Sequence, residues 1–206
     1  MPKNQFSFVT HEALFFGLDT AFSNIRFFLG VFALMAFTYL LGVLLARTTN
    51  ETGPFLSFLF HISWMLLEIY FVLGLLNVSL LLSKGKKVGI FDLFSSLRLF
   101  LRFLLGLFLF LGMVFGGLVL FIIPGIIIAI RLRFFAFILI EKKDDAIGSL
   151  SKSARITKGH VWNLFVFYLF LIGINILGAF ALLVGLILTI PLSLVSTAFV
   201  YRKLSS

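Results

Sequence analysis

Long apolar runs separated by short polar segments are the dominant pattern of the chain. The runs lie at 27–46, 55–82, 103–123, 126–140 and 161–201. A helix needs about 20 apolar residues to cross a bilayer, so each of the first four runs predicts one span, and the uncharged fifth run is long enough for two. We expect this last pair to turn within 178–185 and Pro191 to kink its second helix. The pattern predicts an all-α, polytopic membrane protein with about six transmembrane helices arranged as three hairpins.

A shorter amphipathic stretch precedes each predicted hairpin, with polar and apolar residues on opposite helix faces. The first stretch places Glu12, Asp19, Ser23 and Arg26 opposite Leu14, Leu18, Phe22 and Ile25. The second carries an apolar stripe of Ile90, Phe94, Leu97 and Leu101 beside Arg98 and Arg102. The third sets Ile147, Leu150 and Ala154 against Lys152. We expect these stretches to lie as helices at the membrane interface.

The sequence therefore predicts a single membrane domain over 1–206. It divides into an amphipathic segment at 1–26, hairpin 1 at 27–82, an amphipathic segment at 83–102, hairpin 2 at 103–140, an amphipathic segment at 141–160 and hairpin 3 at 161–201. One interpretation is a unit of interfacial helix plus hairpin that is used three times. The alternative is that any membrane hairpin carries amphipathic flanks, because sequence identity between the three units is weak.

The composition supports a membrane protein and narrows the chemistry open to it. The chain is 61% hydrophobic and contains 29 Phe residues, and a soluble domain could not keep so much apolar surface from water. It contains no Cys, which excludes disulfides, thiolate metal sites and a Cys nucleophile. Glu12 and Asp19 interrupt the first 26 residues, so we expect no cleavable signal peptide.

The formal net charge of +9 comes from basic residues that lie beside apolar segments. Anionic lipid headgroups, rather than nucleic acid, are therefore the expected partner. If both termini are cytoplasmic, 14 of the 17 basic residues fall on the cytoplasmic side and the outer turns hold only Arg47. This bias follows the positive-inside rule. It predicts a multi-pass protein of the bacterial inner membrane with both termini in the cytoplasm.

The predicted cytoplasmic segments contain a set of bases that we expect to contact anionic lipid. They are Lys84, Lys86, Lys87, Arg98, Arg102, Lys152, Arg155 and Lys158. Each base near an anionic surface contributes about 1 kcal/mol of attraction. The alternative is that these bases only set the orientation of the helices, and the two roles are compatible.

Four residues form a candidate polar site within the membrane, namely His61, Glu68, Arg131 and Arg133. Glu68 lies near the middle of the second run, where an isolated carboxylate is unfavourable, and His61 lies two turns away on the same face. Either the group forms a proton path, an ion path or a headgroup site, or Glu68 pairs with an Arg and fixes the helix packing. Arg131 and Arg133 point to different faces, so at most one reaches Glu68 and the other can extend toward the interface.

Two glycine-containing motifs predict how the helices pack. Pro124-Gly125 is expected to form the tight turn of the second hairpin, with a re-entrant loop as the alternative. Gly112 and Gly116 form a G-x-x-x-G motif, which permits close approach of helices either between two copies or within one chain.

The second half of the chain carries motifs that point to a family. It reads G-G-L-V-L-F-I-I-P-G at 116–125, has an Arg in the following helix and Glu141 at that helix's end, and reads S-A-R-I-T-K-G-H-V-W at 153–162. This half resembles the membrane domain that precedes the catalytic domain in some bacterial glycerophosphodiester phosphodiesterases, and related stand-alone multi-pass proteins. The first half is similar only in layout. The resemblance implies a six-helix membrane module, and the phosphodiesterase activity does not carry over because no segment here resembles the catalytic domain.

The motif search finds no pattern that predicts catalysis. The three His residues lack metal-ligand spacing, and the sequence contains no G-x-S-x-G, H-E-x-x-H, Walker or Rossmann motif. We therefore expect no enzyme activity and no cofactor. The adjacent Asp144 and Asp145 are expected to cap the start of the third amphipathic helix.

These observations leave three hypotheses about function. The first is a non-enzymatic inner-membrane protein that organises or binds lipids or partner proteins at the cytoplasmic leaflet. The second is a small transporter or channel subunit that uses Glu68 and an intramembrane Arg. The third is the membrane subunit of a lipid-modifying enzyme whose catalytic part is another chain. The expected partners are an anionic bilayer and either a membrane protein or a second copy of the chain.

Overall fold

The computed structural model describes the backbone of residues 3–50, 53–181 and 185–205, and throughout these ranges the regular structure is helical. Its α-helices are α1 (Lys3–Ser23), α2 (Ile25–Asn50), α3 (Pro54–Ser83), α4 (Phe100–Leu120), α5 (Ile122–Leu132), α6 (Phe135–Lys142), α7 (Ala146–Ile156), α8 (Val161–Phe180) and α9 (Leu186–Ser205). Two short 3₁₀ turns, Ile90–Leu93 and Leu97–Leu99, lie between α3 and α4.

Six helical segments of the described chain are long and apolar enough to cross a membrane. They are Ile25–Arg47, Pro54–Ser83, Ile90–Leu120, Ile122–Lys142, Val161–Phe180 and Leu186–Ser205. The fourth combines α5 and α6. The predicted class is confirmed, and the chain is an all-α, polytopic membrane protein.

Three pairs of consecutive helices, α2–α3, α4–α5 and α8–α9, pack against each other as the predicted hairpins. The α4–α5 turn lies at Phe121, whose backbone is extended with φ −159° and ψ 146°. The prediction of a turn at Pro124-Gly125 is therefore wrong. Pro124 falls in the first turn of α5, where a missing N–H breaks no helical bond.

The close contact inside the second hairpin is made by a different pair of glycines from the predicted one. A Cβ added at Gly117 would lie 2.9 Å from the Cα of Gly125, whereas one added at Gly112 or Gly116 would meet nothing within 4 Å. The predicted G-x-x-x-G motif therefore plays no part in packing within the chain. Its two glycines are exposed on α4.

The first helix packs along α9 through its small residues. Ala13, Gly17 and Ala21 are buried at four-residue spacing, and Ser196 donates a hydrogen bond to the carbonyl of Ala13 at 2.9 Å. Leu18 and Phe22 on the predicted apolar face are exposed, so α1 packs on α9 through a different face. Small side chains let the two helix backbones approach closely.

The two ends of the chain lie at the same end of the helix bundle. Glu12 of α1 forms an ion pair with Lys203 of α9, with 3.4 Å between the carboxylate oxygen and the amine. Further along, the ring of Phe16 packs on that of Phe199 at 4.9 Å. The two helices therefore run antiparallel.

The segment between α3 and α4 is not the amphipathic α-helix that we predicted. It runs back along α3, where Asn77 donates to the carbonyl of Asp92 at 2.9 Å and Tyr70 donates to that of Phe94 at 2.8 Å. A Cβ added at Gly74 would lie 2.5 Å from the carbonyl oxygen of Leu93, so the contact is close. These side-chain bonds offer the backbone an alternative to helical pairing.

The segment buries small parts of itself against the protein and leaves its apolar stripe exposed. Leu93 and Ser96 are buried against the protein. The predicted apolar stripe is instead exposed, and its members are Ile90, Phe94, Leu97 and Leu101. The segment therefore presents its apolar stripe outward.

The fourth span is broken at Arg133 and Phe134, and α7 fills the break. The carbonyl of Arg131 accepts hydrogen bonds from Ser153 at 2.8 Å and from Thr157 at 3.2 Å. The hydroxyl of Ser153 also accepts from the backbone N–H of Phe134 at 3.1 Å. The two ends of the broken helix are thus bonded to α7 instead of to each other.

The third amphipathic stretch is therefore a packed helix rather than one lying freely on the membrane surface. Leu150, Ser153 and Thr157 are buried, while Ile147 on the predicted apolar face is 66% exposed. Asp145 caps α7 as predicted by accepting from the N–H of Gly148 at 3.2 Å. The buried face of α7 is the one that carries the hydroxyl groups of Ser153 and Thr157, which bond to the fourth span. The amphipathic pattern treats such groups as polar and places them outward.

The short helix α6 forms the centre of the core. All six residues from 135 to 140 are buried. The ring of Phe135 stacks between Phe103 at 5.9 Å and Phe110 at 5.6 Å, and that of Phe137 stacks on Tyr201 at 5.6 Å. Helices α4 and α9 are thus joined to the fourth span through aromatic rings.

Helices α5 and α8 run in the same direction where they pack. Near the start of both helices, Ile123 of α5 and Trp162 of α8 line one cleft. Near the end of α5, Arg133 lines a second cleft with Ile172, which lies further along α8. The α4–α5 turn therefore lies beside the start of α8. Strictly alternating spans would place those two features at opposite ends of the bundle, so the middle hairpin departs from the alternation that the charge pattern predicts.

Candidate functional site

Two of the four predicted intramembrane residues, His61 and Glu68, lie in one cleft between α2 and α3. Tyr39 and Trp64 also line this cleft. The Nδ1 atom of His61 lies 2.7 Å from the carbonyl oxygen of Ser57, which holds the imidazole ring along the helix. The expectation that His61 and Glu68 share a helix face agrees with this geometry.

The predicted pairing of Glu68 with an arginine is wrong. Arg131 instead donates to the carbonyl of Ala154 in α7 at 3.2 Å, and the guanidinium of Arg133 lies over the ring of Tyr168 at 4.6 Å. The break in the fourth span thus gives both arginines partners outside α3. Glu68 is exposed, and no ion pair between described residues includes it.

The chemistry available in the α2–α3 cleft is limited to proton exchange and hydrogen bonding. Glu68 and His61 both line the cleft, and the buried indole N–H of Trp64 has no acceptor among the described residues. In the described part of the chain, no group of three or more His, Asp or Glu side chains lies close enough together to hold a metal ion. The cleft therefore offers a polar surface on an apolar helix pair.

A second polar group lies between α5, α8 and α9, and the sequence patterns did not reveal most of it. Tyr168 is only 8% exposed and its hydroxyl has no hydrogen-bond partner. Asn175 donates to Ser193 at 2.7 Å, but its side-chain oxygen is buried without a donor. The only signal in the sequence is a phenol and an amide inside an uncharged run, and the patterns above give neither a role.

A polar network joins the ends of α3, α6 and α9. Glu141 accepts from the amine of Lys84 at 2.6 Å and from the hydroxyl of Tyr201 at 2.5 Å. The guanidinium of Arg202 donates to the carbonyl of Ser83. Lys84, which we predicted to contact lipid, is therefore engaged within the protein, since its charge is paired.

Two more of the predicted lipid contacts have partners within the chain. Lys152 forms an ion pair with Asp144, and the hydrogen bond from that amine lowers the pKa of the Asp144 carboxyl below its usual range. Arg102 donates to the carbonyl of Lys143 at 3.1 Å. These bonds fix the position of the chain before α7.

The other five predicted bases are exposed, and the ion pairs of the described residues include none of them. They are Lys86, Lys87, Arg98, Arg155 and Lys158. Three of the five lie next to apolar side chains that face outward, among which Phe91 is 90% exposed and Leu101 is 78% exposed. Cations and apolar groups are thus presented together on one surface.

Comparison with known proteins identifies distant relatives. The chain is 26% identical over 158 residues to uncharacterised proteins of Mycobacterium bovis and Mycobacterium tuberculosis. The match covers 77% of this chain and 48% of the relatives, so the chain spans about half of their length. No family model and no solved structure matches. The resemblance to phosphodiesterase membrane domains stays a prediction.

Proposed function

We propose that this membrane protein binds anionic lipids without catalysing a reaction, and that it does so at the cytoplasmic leaflet of the bacterial inner membrane. The binding surface is the segment that runs back along α3. We call it the basic edge and define it as Lys86, Lys87, Phe91, Leu97, Arg98 and Leu101. The observation that carries the proposal is the exposure of its apolar side chains beside bases that take part in no ion pair of the described residues.

The side chains of the basic edge match the two layers of a membrane interface. Phe91 and Leu97 are 90% and 66% exposed, which suits insertion at the boundary between headgroups and acyl chains. Lys86 and Lys87 precede Phe91 by five and four residues, and their amines can reach phosphate groups while their apolar stems lie along the hydrocarbon boundary. Each base near an anionic surface contributes about 1 kcal/mol of binding free energy. Two lysines therefore raise the affinity for anionic lipid by roughly tenfold or more.

The basic edge is held in place before any lipid arrives. Asn77 donates to Ser95 at 2.8 Å as well as to the backbone of the segment, and Asp92 accepts from the N–H of Gly89 at 2.8 Å. A surface whose backbone is already ordered loses less conformational entropy on binding. The bonds from α3 therefore support affinity as well as fold.

The assignment to the cytoplasmic leaflet rests on the charge pattern. Fourteen of the 17 basic residues belong to segments that the positive-inside rule places in the cytoplasm. The ion pair of Glu12 with Lys203 brings both ends of the chain to one side, as this orientation requires. A membrane protein or a second copy of the chain is a further proposed partner at this leaflet.

A matched test of this proposal compares the neutralisation of two lysines on the basic edge with the neutralisation of two lysines that form ion pairs. Lys86→Gln with Lys87→Gln removes two charges from the basic edge, and Lys152→Gln with Lys203→Gln removes two from existing ion pairs. Native mass spectrometry of protein released from nanodiscs of equal neutral and anionic lipid reports which lipids stay bound. We expect the first variant to retain about tenfold less anionic lipid than the wild type, and the second to resemble the wild type. Equal retention by the first variant would exclude the basic edge.

A transporter or channel subunit is the second candidate, and the observation that favours it is the unpaired Glu68 beside His61. The arginines of the original hypothesis lie elsewhere, so such a path would use these two residues alone. Ion or proton flux in proteoliposomes that is lost in Glu68→Gln would favour transport over lipid binding. A membrane subunit of a lipid-modifying enzyme is the third proposal, and its support is limited to the lipid-facing surface.

A further inference from the structure

We infer that the cleft around Arg133 and Tyr168 is a binding site for a single anionic amphiphile, whose phosphate or carboxylate lies at the guanidinium. This site differs from the basic edge and does not depend on it. Two clefts of about 280 and 370 Å³ meet at Arg133 and Tyr168, one between α5 and α8 and the other in the bundle between α3, α4 and α9. Volumes of this size are typical of small-molecule sites.

The first argument is the charge of Arg133. The guanidinium cannot lose its proton, and no carboxylate lines either cleft in the described part of the chain. Its neighbour is the ring face of Tyr168 at 4.6 Å, which attracts the cation without neutralising it. Arg133 is exposed at the break in the fourth span, where a counterion would stabilise its charge, and the two clefts leave room for one.

The second argument is independent and comes from buried polar atoms without partners. Tyr168 is only 8% exposed, and its buried hydroxyl has no acceptor among the described residues. The side-chain oxygen of Asn175 is likewise buried without a donor, and both residues line the larger cleft. Buried polar groups are normally satisfied, and an anionic ligand oxygen would accept from the Tyr168 hydroxyl. The Asn175 oxygen needs a donor instead, so it does not contribute to the recognition of an anion.

The third argument concerns the apolar part of the ligand. The smaller cleft continues into a groove of about 460 Å³ lined only by apolar and aromatic side chains. Its walls are Ile123, Ile126, Ile127, Ile130, Val161, Trp162 and Phe165. Three of them, Ile126, Ile130 and Phe165, also line the smaller cleft, so groove and cleft are continuous. A hydrocarbon chain in the groove would leave its charged end at Arg133.

The chemistry therefore selects a ligand with one anionic oxygen group and at least one acyl or alkyl chain. A cationic amphiphile would face the guanidinium with a like charge, and a free anion would leave the groove unfilled. Alkyl phosphates and fatty carboxylates share the required chemistry.

Dodecyl phosphate is a suitable probe for the full-length protein in nanodiscs of zwitterionic lipid, with dodecyltrimethylammonium and inorganic phosphate as comparators. Native mass spectrometry and thermal midpoints report binding. We expect dodecyl phosphate to bind and stabilise the wild type, and Arg133→Gln to weaken that binding about tenfold or more, since a charge-assisted bond is lost. Tyr168→Phe keeps the ring and should weaken binding by about threefold to tenfold. Arg47→Gln removes an exposed base in the last turn of α2, outside both proposed sites, and should leave the binding unchanged.

The outcomes separate this site from other sources of binding. Undiminished affinity in Arg133→Gln overturns the proposal, and if that variant does not fold, undiminished affinity in Tyr168→Phe does so. Equal binding of dodecyltrimethylammonium would overturn the role of charge. Inorganic phosphate that binds as tightly as dodecyl phosphate would overturn the role of the groove. Loss of binding only in Arg98→Gln would assign the ligand to the basic edge instead.

Discussion

At the scale of single residues, the hydroxyl of Ser153 joins helices that the apolar pattern treats as separate. It donates to the carbonyl of Arg131 and accepts from the N–H of Phe134, so one buried atom bonds both sides of the break. Thr157 gives that carbonyl a second donor. The break in the fourth span therefore leaves none of these backbone groups unbonded, which a membrane interior requires.

Ser153→Ala is expected to lower the free energy of unfolding by about 1–3 kcal/mol, because the buried N–H of Phe134 loses its acceptor. Thermal or denaturant unfolding in detergent, followed by circular dichroism, measures the change. Ser151→Ala is the control, since Ser151 is exposed on the same helix and its loss should change stability by no more than about 0.5 kcal/mol. A Ser153→Ala variant as stable as this control would contradict the bonding described.

Prediction of single residues from the sequence succeeded where it depended on one helix and failed where it depended on two. His61 and Glu68 share a cleft because residues seven apart lie on one helix face. The partners of Arg131 and Arg133 could not be read in the same way, because they depend on how α7 and α8 pack. Tyr168 and Asn175 were missed since an uncharged run gives no sign of which polar groups will lack partners.

At the scale of elements, the segment after α3 shows how a helix can determine the structure of the chain that follows it. Its apolar residues have helical spacing, yet Asn77 and Tyr70 bond its carbonyls and leave only two 3₁₀ turns. The spans themselves were predictable, because their length and apolar content decide them locally. The turn at Phe121 was not, since Pro124 suits the first turn of a helix as well as a bend.

Gly74→Ala tests how closely this segment lies against α3. The added methyl would lie 2.5 Å from the carbonyl oxygen of Leu93, so the segment must shift, and we expect a loss of about 1–3 kcal/mol in stability. Limited proteolysis should also cut at Lys86 or Lys87 sooner than in the wild type.

Gly30→Ala provides the comparison in another span, because a Cβ there meets nothing within 4 Å. Alanine is the better helix former by about 1 kcal/mol, so this variant should be as stable as the wild type or more so. Similar behaviour of the two variants would argue against a close contact at Gly74.

At the scale of the whole molecule, six spans and three hairpins followed from the sequence, but their arrangement did not. Hydropathy predicts the number of membrane spans, but it does not predict whether α5 and α8 are parallel or antiparallel. The shared clefts from Ile123 to Ile172 show that they run together. The charge pattern describes the loops and termini, so it predicts orientation at the ends of the chain better than at the middle hairpin.

The absence of Cys allows a direct test of this orientation. Single replacements Phe55→Cys, near the start of α3, and Ser205→Cys, at the end of α9, each introduce one exposed thiol. A membrane-impermeant maleimide should label Phe55→Cys in intact spheroplasts and Ser205→Cys only after lysis. Labelling of Ser205→Cys in intact spheroplasts would place the C-terminus outside and reverse the proposed leaflet.

The break in the fourth span also imposes an order on synthesis. The carbonyl of Arg131 depends on hydroxyl groups that lie 22 and 26 residues later in the chain. While the ribosome is still making α7, the nascent fourth span therefore carries an open polar group that lipid cannot satisfy. We expect this span to be retained beside the insertion machinery, rather than released into the bilayer, until Ser153 and Thr157 have been added.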